Sequence, residues 1–389
     1  MKITRIETLC LSRLHERSEQ WFTHRYRSVK ADCALVIVHT DAGLEGIGEA
    51  SAYGAPNLIR EAIDWLSLEL IGQDPNDPAI APRPNGHFPT TSFPHMTAHD
   101  CAAAGLDCAL WDLRAKIAGV SVRKLINPNA PDQLRLYASS GCRYDWRIFP
   151  EQLIKETLGY LEQGYTASKV RLGTHWEWDG VTVERFLGLM RELSQAVNGR
   201  MELAVDGGKR LSYEQALIVA KELEKLGFKW LEEPIDMFDV DGYSRLNAAV
   251  GIAITGGESF ATLEQAYPFL KTKGFDIVQP DVALTGITEG LRIAKMAARF
   301  GIAVTPHSWH NAPMLLENAQ FLAAIDSNLP LEHCMIQGPL QEAVISQPLA
   351  IKNGMLELSD APGMGFELAA NLEQRFAYIE GHYALEVNR

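Results

Sequence analysis

The chain has 389 residues, 47% hydrophobic and 22% charged, the balance of a globular protein long enough for a barrel plus a smaller domain. Its formal charge of −13 argues against nucleic acid or an anionic membrane as partner, and leaves room for an acidic substrate only where cations and metal cluster locally. No run reaches the roughly 18 uncharged apolar residues that span a bilayer, and MKITRIETLCLSR lacks the apolar stretch of a signal peptide, so the expected location is the cytoplasm.

In chain order, residues 1–50 read as antiparallel strands. Ile3, Ile6, Thr8 and Cys10 alternate, and ADCALVIVHTDAGLEGIGEA holds an apolar run, a turn and Gly-spaced small residues. PNLIREAIDWLSLELIG (56–72) has helical periodicity, and the Ala-rich segment to Gly119 predicts a long helix with a glycine stop. Strands followed by helices predict an α+β domain over residues 1–125, with the Pro-rich stretch before the long helix as a surface loop. Six cysteines (Cys10, Cys33, Cys101, Cys108, Cys142 and Cys334) are dispersed without a CxxC, as buried reduced thiols would be.

From about residue 134, short apolar strands alternate with amphipathic helices. The strands are expected at Leu136–Ser139, Ser168–Leu172, Leu203–Asp206, Trp230–Glu233, Ile254–Gly257, Ile277–Asp281 and Ala303–His307, with Leu331–Met335 as an eighth. Seven or eight such units predict an α/β fold, a (β/α)7-8 TIM-like barrel over 126–360 with an N-terminal α+β capping domain. Residues 361–389 are expected to return to the cap. No GxGxxG or GxxxxGK follows the early strands, which leaves the rival doubly wound nucleotide fold without support.

Barrel chemistry sits at the C-terminal ends of strands. Asp206, Glu232 and Glu258 end three consecutive strands, each 26 residues from the next, and three carboxylates at one rim can hold a hard divalent cation. Lys169 and Arg171 alternate inward on the second strand, where a cation pair is costly unless it meets carboxylates. Asp281 and His307, also 26 apart, take equivalent places on the next two strands, so the carboxylate can orient one imidazole nitrogen and leave the other facing the site. Each residue alone has a plainer reading: an Asp at a strand end is often an N-cap, and a lone His is more often packed than catalytic. Their joint placement outweighs those readings. Glu233 should point away from its neighbour, His310 is explained equally by loop polarity, and His87, His95 and His99 are read as structural.

With these residues in place, the chain resembles the enolase superfamily and, within it, the mandelate racemase subgroup. GLDCALWDLRAKIAGVSVRKLI is similar to the helix leading into that barrel, KVR stands at the family's Lys-x-Lys, and AVDGG, WLEEP and GGES resemble its metal-ligand segments. VQPDVALTGITEG and VTPHS resemble the Asp/His dyad segments, and PGMGFEL the closing segment. The resemblance implies that Asp206, Glu232 and Glu258 bind Mg²⁺, favoured over Mn²⁺ by the all-oxygen donors, and that His307, oriented by Asp281, is an acid/base. It implies that Glu332 bonds the substrate carboxylate, and that a loop from His15 to Lys30 (Trp21, His24, Arg25, Tyr26) and the segment near Tyr53 cap the site. It also implies a homo-oligomer acting on a small carboxylate, an acid sugar.

The second family lysine is here Arg171, which stays protonated and is a poor base. A racemase needs a base on each face of the substrate, and His307 is one. Dehydration of an aldonate or aldarate to a 2-keto-3-deoxy acid fits a single dyad; cycloisomerisation of a lactone or anhydro sugar acid is the near alternative. Racemisation and a non-catalytic carboxylate-binding barrel stand further off.

Overall fold

The computed structural model describes residues 1–22, 26–50, 55–80, 97–142, 151–172, 182–336, 338 and 340–386. Strand β1 (Ile3–Leu14) runs antiparallel to β3 (Lys30–Thr40), which pairs with β4 (Glu45–Ala50); the short β2 (Tyr26–Ser28) lies between β1 and β3 in sequence. Helices α1 (Pro56–Leu70) and α2 (Ala98–Ala118) cover this sheet. Thr97 and Asp100 close a capping box at the start of α2, and Gly119 ends it at φ +72°. The glycines of EGIGEA have a packing reason: a Cβ at Gly46 would lie 2.1 Å from the Ala109 carbonyl, and one at Gly48 would lie 2.3 Å from that of Gly105. Apolar side chains of β3, α1 and α2 fill the space between the layers, Val36, Ile63, Leu106 and Leu110 among them.

After α3 (Val122–Ile126) the chain alternates: β5 (Gln133–Ser140), α4 (Glu151–Glu162), β6 (Ala167–Arg171), α5 (Val183–Val197), β7 (Glu202–Asp206), α6 (Tyr213–Lys225), β8 (Trp230–Glu232), α7 (Val240–Ala249), β9 (Ala253–Gly256), α8 (Leu263–Lys271), β10 (Ile277–Val278), α9 (Val282–Phe300), β11 (Ala303–Val304), α10 (Ala312–Ala324) and β12 (Leu331–Cys334). Strands β5 to β11 pair in parallel in chain order, and β12 returns to pair with β5 in register Leu331↔Leu136. This is the expected barrel, with the eighth strand present. The ladders of β10 and β11 stop earlier than the expected Asp281 and His307. Pro280 and Pro306 lack an N–H to continue them, and Asp281 begins α9 as its N-cap, accepting from the Ala283 N–H at 3.0 Å.

A hairpin of β13 (Ile351–Lys352) and β14 (Met355–Glu357) extends the sheet at β5. Beyond α11 (Leu372–Arg375), β15 (Ala384–Glu386) pairs antiparallel with β2 in a two-stranded sheet of its own. One buried carboxylate ties the cap to the barrel, and another ties α2 to β4 and to Met364. Glu49 accepts from Asn311 Nδ2 at 2.7 Å and from the Met314 N–H at 3.1 Å, while Asp112 accepts from the N–H groups of Ile47 and Met364. All six cysteines are buried free thiols. No helix among the described residues is long and apolar enough to cross a membrane.

Candidate active site

The barrel register sets the first row of polar residues. Arg171 pairs with Asp206, Asp206 with Glu232, and Glu232 with Thr255, across β6 to β9. The even 26-residue spacing therefore holds between Asp206 and Glu232 but not for Glu258, because Thr255 occupies the equivalent place on β9. Glu258 reaches the rim from the following loop, where Gly257 takes φ +112° and turns the chain. Gly257 is fixed in turn by Glu233, whose Oε1 accepts its N–H at 3.1 Å.

Each acid of the triad meets a cation. Lys169, 2% exposed, places Nζ 2.5 Å from Glu232 Oε1 and 2.9 Å from Glu332 Oε1. Burial works against its charge, yet these two carboxylates outweigh it and raise the ammonium well above its ordinary value. Arg171 Nε donates to Asp206 Oδ2 at 2.8 Å, and the Gly208 N–H donates to Oδ1 at 2.7 Å. Lys209 Nζ lies 3.1 Å from Glu258 Oε1 and 2.8 Å from Glu233 Oε2. Glu232 also accepts from Gln279 Nε2 at 2.7 Å. Burial pushes the Glu232 carboxyl up to about 7, with Lys169 opposing and Asp206, Glu332 and Glu258 adding to the rise. The site thus holds more buried negative charge than its side-chain cations balance, on all-oxygen donors, which suits a hard divalent cation.

The dyad forms as expected. His307 Nδ1 donates to Asp281 Oδ2 at 2.6 Å, leaving Nε2 3.6 Å from Glu258 Oε2 and 4.0 Å from Glu332 Oε2. Burial lowers the imidazole's basicity, but Glu258, Glu332 and Asp281 together hold it up to about 10. Asp281 carries a second imidazole on the same oxygen, His310 Nε2 at 2.9 Å, while Oδ1 accepts from Asn318 Nδ2 and the Ala283 N–H. Among the described residues, Asp281, His307 and His310 are the group whose ligand atoms all approach within 4.8 Å of one another. These contacts are hydrogen bonds to one carboxylate. Glu332 accepts from the Ser308 N–H at 2.9 Å; burial favours its acid form, while Lys169 and His307 pull its carboxyl below the ordinary range.

Three participants escaped the sequence reading. Glu233 is turned back by a φ of +35° against the alternation that should point it away, and with Lys209 it positions Glu258. Lys209 follows the AVDGG segment with no signal beyond proximity. His310 does join the dyad, three residues past His307 in the loop before α10. Of the capping loop, Trp21 and Tyr26 pack toward Trp309, while His24, Arg25 and Tyr53 lie outside the described residues, as do His87 and His95. His99 is buried in α2, its ring 6.0 Å from that of Trp65, as a structural histidine would be. A cleft of about 90 Å³ between cap and barrel is lined by Trp21, Lys30, Glu49, Trp309 and His310, the last of which bonds Asp281 of the dyad.

Residues 22–127 match the family model for the mandelate racemase / muconate lactonizing enzyme N-terminal domain, and residues 152–372 match that for enolase C-terminal domain-like proteins. D-galactarolactone cycloisomerase of Agrobacterium fabrum is 27% identical over 384 residues, 95% of this chain and 97% of that protein. Arabinonate dehydratase of Saccharolobus solfataricus is 27% identical over 332 residues, 85% and 87% of the two chains. The crystal structure of 3,6-anhydro-D-galactonate cycloisomerase from Zobellia galactanivorans superposes with a TM-score of 0.83 at 25% identity, covering 97% of this chain and 100% of that one.

Proposed function

Because the chain belongs to the mandelate racemase / muconate lactonizing enzyme family of the enolase superfamily, whose members use a divalent metal, we propose that it is a Mg²⁺-dependent dehydratase of an aldonate or aldarate. The observation that carries this reading is the single dyad. His307 bonds Asp281, Lys169 is locked as an ammonium between two carboxylates, and Arg171 is engaged with Asp206, so one group is left to move protons at the substrate.

Asp206, Glu232 and Glu258 would hold the cation. Bound there, it would supply Lewis-acid charge to the substrate carboxylate and, by neutralising Glu258, relieve the pull that holds His307 up to about 10. His307 Nε2 takes the proton alpha to the carboxylate, while Asp281 stabilises the imidazolium that forms. The Lys169 ammonium faces the charge that builds on the enediolate oxygens. His307 then returns the proton to the beta hydroxyl on the same face; the C–O bond breaks, water leaves, and the enol product tautomerises to a 2-keto-3-deoxy acid. Glu332 positions Ser308, next to the base, and compensates Lys169.

The same assignment divides the chain into a cap (1–125), a barrel (126–360) and a returning segment (361–389). The buried free thiols support a reducing, cytoplasmic setting. The family resemblance supports a homo-oligomer.

Cycloisomerisation is the second reading, favoured by the two relatives named for it that align over nearly all of this chain. It uses the same enediolate and a ring oxygen as leaving group. Screening aldonic acids, aldaric acids and their lactones with Mg²⁺ separates the two. A semicarbazide-reactive 2-keto acid from an open-chain substrate supports dehydration. An isomer formed only from a cyclic substrate moves the assignment to the isomerase, and inertness toward the whole set defeats both.

A further inference from the structure

The end of the chain reaches the active site through a row of aromatic rings. Tyr383, just before β15, packs edge-on against Tyr26 of β2 with centroids 5.5 Å apart. Tyr26 meets Trp21 at 5.8 Å, Trp21 meets Trp309 at 6.2 Å, and the Arg171 guanidinium lies 5.3 Å from the Trp309 ring. Arg171 Nε in turn donates to Asp206 at 2.8 Å. All three ring contacts are edge-to-face, the arrangement ring quadrupoles favour, and a guanidinium over an indole is attracted to its face.

The backbone holds both ends of this row. The Val29 and Lys30 N–H groups donate to the Tyr383 carbonyl, and Lys30 Nζ donates to the carbonyls of Ile379 and Gly381 at 2.7 and 2.8 Å. At the barrel end the Phe22 N–H donates to the Cys142 carbonyl, just past β5. Trp21 and Phe22 on one side and residues 26–30 on the other therefore touch both the barrel rim and the returning segment, with Trp21 at the junction. Lys30 and Ile379 are 349 residues apart in sequence, so nothing local could impose this contact.

We propose that Tyr383 and Trp21 are positioning residues that, through the aromatic row, set Trp309 and hence orient Arg171 beside Asp206. This rests on the reaction assigned above. Arg171 stands where the family has its second lysine, and a guanidinium on a flexible stem needs an external constraint to present one edge to a carboxylate. The aromatic row provides it. The consequence falls on substrate placement, since none of the rings exchanges a proton with His307.

The test compares Tyr383→Ala, Tyr383→Phe, Trp21→Ala and Trp21→Phe in the full-length protein, with D-galactonate and Mg²⁺ as the kinetic probe. Coupling of the packed tryptophans is read by circular dichroism in the aromatic region, and folding by far-ultraviolet ellipticity. Tyr383→Ala and Trp21→Ala should each raise KM roughly tenfold while kcat changes much less, and each should diminish the aromatic signal relative to the wild type. The two phenylalanine variants should recover KM to within about twofold. A folded Tyr383→Ala protein with unchanged KM and signal overturns the proposal, as does a fall in kcat at constant KM. If Tyr383→Ala does not fold, Trp21→Ala against Trp21→Phe decides on the same criteria. If the wild type is inert toward D-galactonate and the other acid sugars, the reaction assignment fails; the aromatic signal of Tyr383→Ala then decides the positioning claim alone.

Discussion

At the scale of single residues, the site is a set of buried charges that hold one another. His307 has one nitrogen fixed by Asp281 and one facing the carboxylates, so His307→Asn should lower kcat by roughly 10²- to 10⁴-fold. Far-ultraviolet ellipticity unchanged from the wild type would show that the loss is chemical. His333 is its outward counterpart on β12. Glu332 faces the site, and the next side chain packs against Tyr165, whose hydroxyl lies 2.7 Å from His333 Nδ1. Burial lowers the His333 pKa from 6.5 to about 4. The folded protein then takes up this proton less readily than the unfolded chain. The contribution to stability is complete above pH 6.5 and is lost as pH falls toward 4, amounting to about 3 kcal/mol. Urea denaturation at pH 7 and pH 4.5 should show that loss in the wild type, and a smaller one in His333→Phe.

At the scale of elements, α9 does two jobs at its start. Asp281 caps it while serving the dyad, so the plainer N-cap reading and the functional one are both true of this residue. A few residues later Gly286 breaks the helix at φ +59°, ψ −177°, where Asp107 of α2 reaches in to accept from the Thr288 N–H at 2.9 Å and its hydroxyl at 2.6 Å. A Cβ at Gly286 would lie 2.6 Å from Asp107 Oδ2. Gly286→Ala should therefore destabilise the protein by about 1–3 kcal/mol, measured by chemical denaturation, and an unchanged midpoint would contradict the kink. None of this was legible in GITEGLRIAKMAARFG, where periodicity reports a helix and is silent about the residue of another element that enters it. The strand ends were more readable. Alternation placed Lys169 and Arg171 inward, and the Asp281/His307 pair survived although its ladders end sooner. Even spacing misled at Glu258, because a count along the chain cannot register the turn at Gly257.

At the scale of the molecule, cap and barrel meet through buried polar groups such as Glu49, Asp112 ties α2 to Met364, and β2 pairs with β15 from far along the chain. The acidic centre gives this assembly a direct test. Chelation should abolish turnover and Mg²⁺ should restore it. If the cation binds the folded state alone, Mg²⁺ at about 100 times its Kd should add about 2.7 kcal/mol, visible as a rise in Tm. A Tm indifferent to Mg²⁺ would count against the triad as its site.

The sequence by itself determined the barrel with its cap, and it pointed to the acids, the cation pair and the Asp281/His307 contact at the strand ends. Period and residue type at strand ends are local properties that a linear reading retains. Only the tertiary structure decided which cation meets which acid, that Glu233 and Lys209 steady Glu258, that His310 shares Asp281, and that Tyr383 reaches toward Arg171 through three rings. Those pairings depend on backbone turns with positive φ and on contacts between residues tens to hundreds of positions apart. No spacing along the chain encodes either.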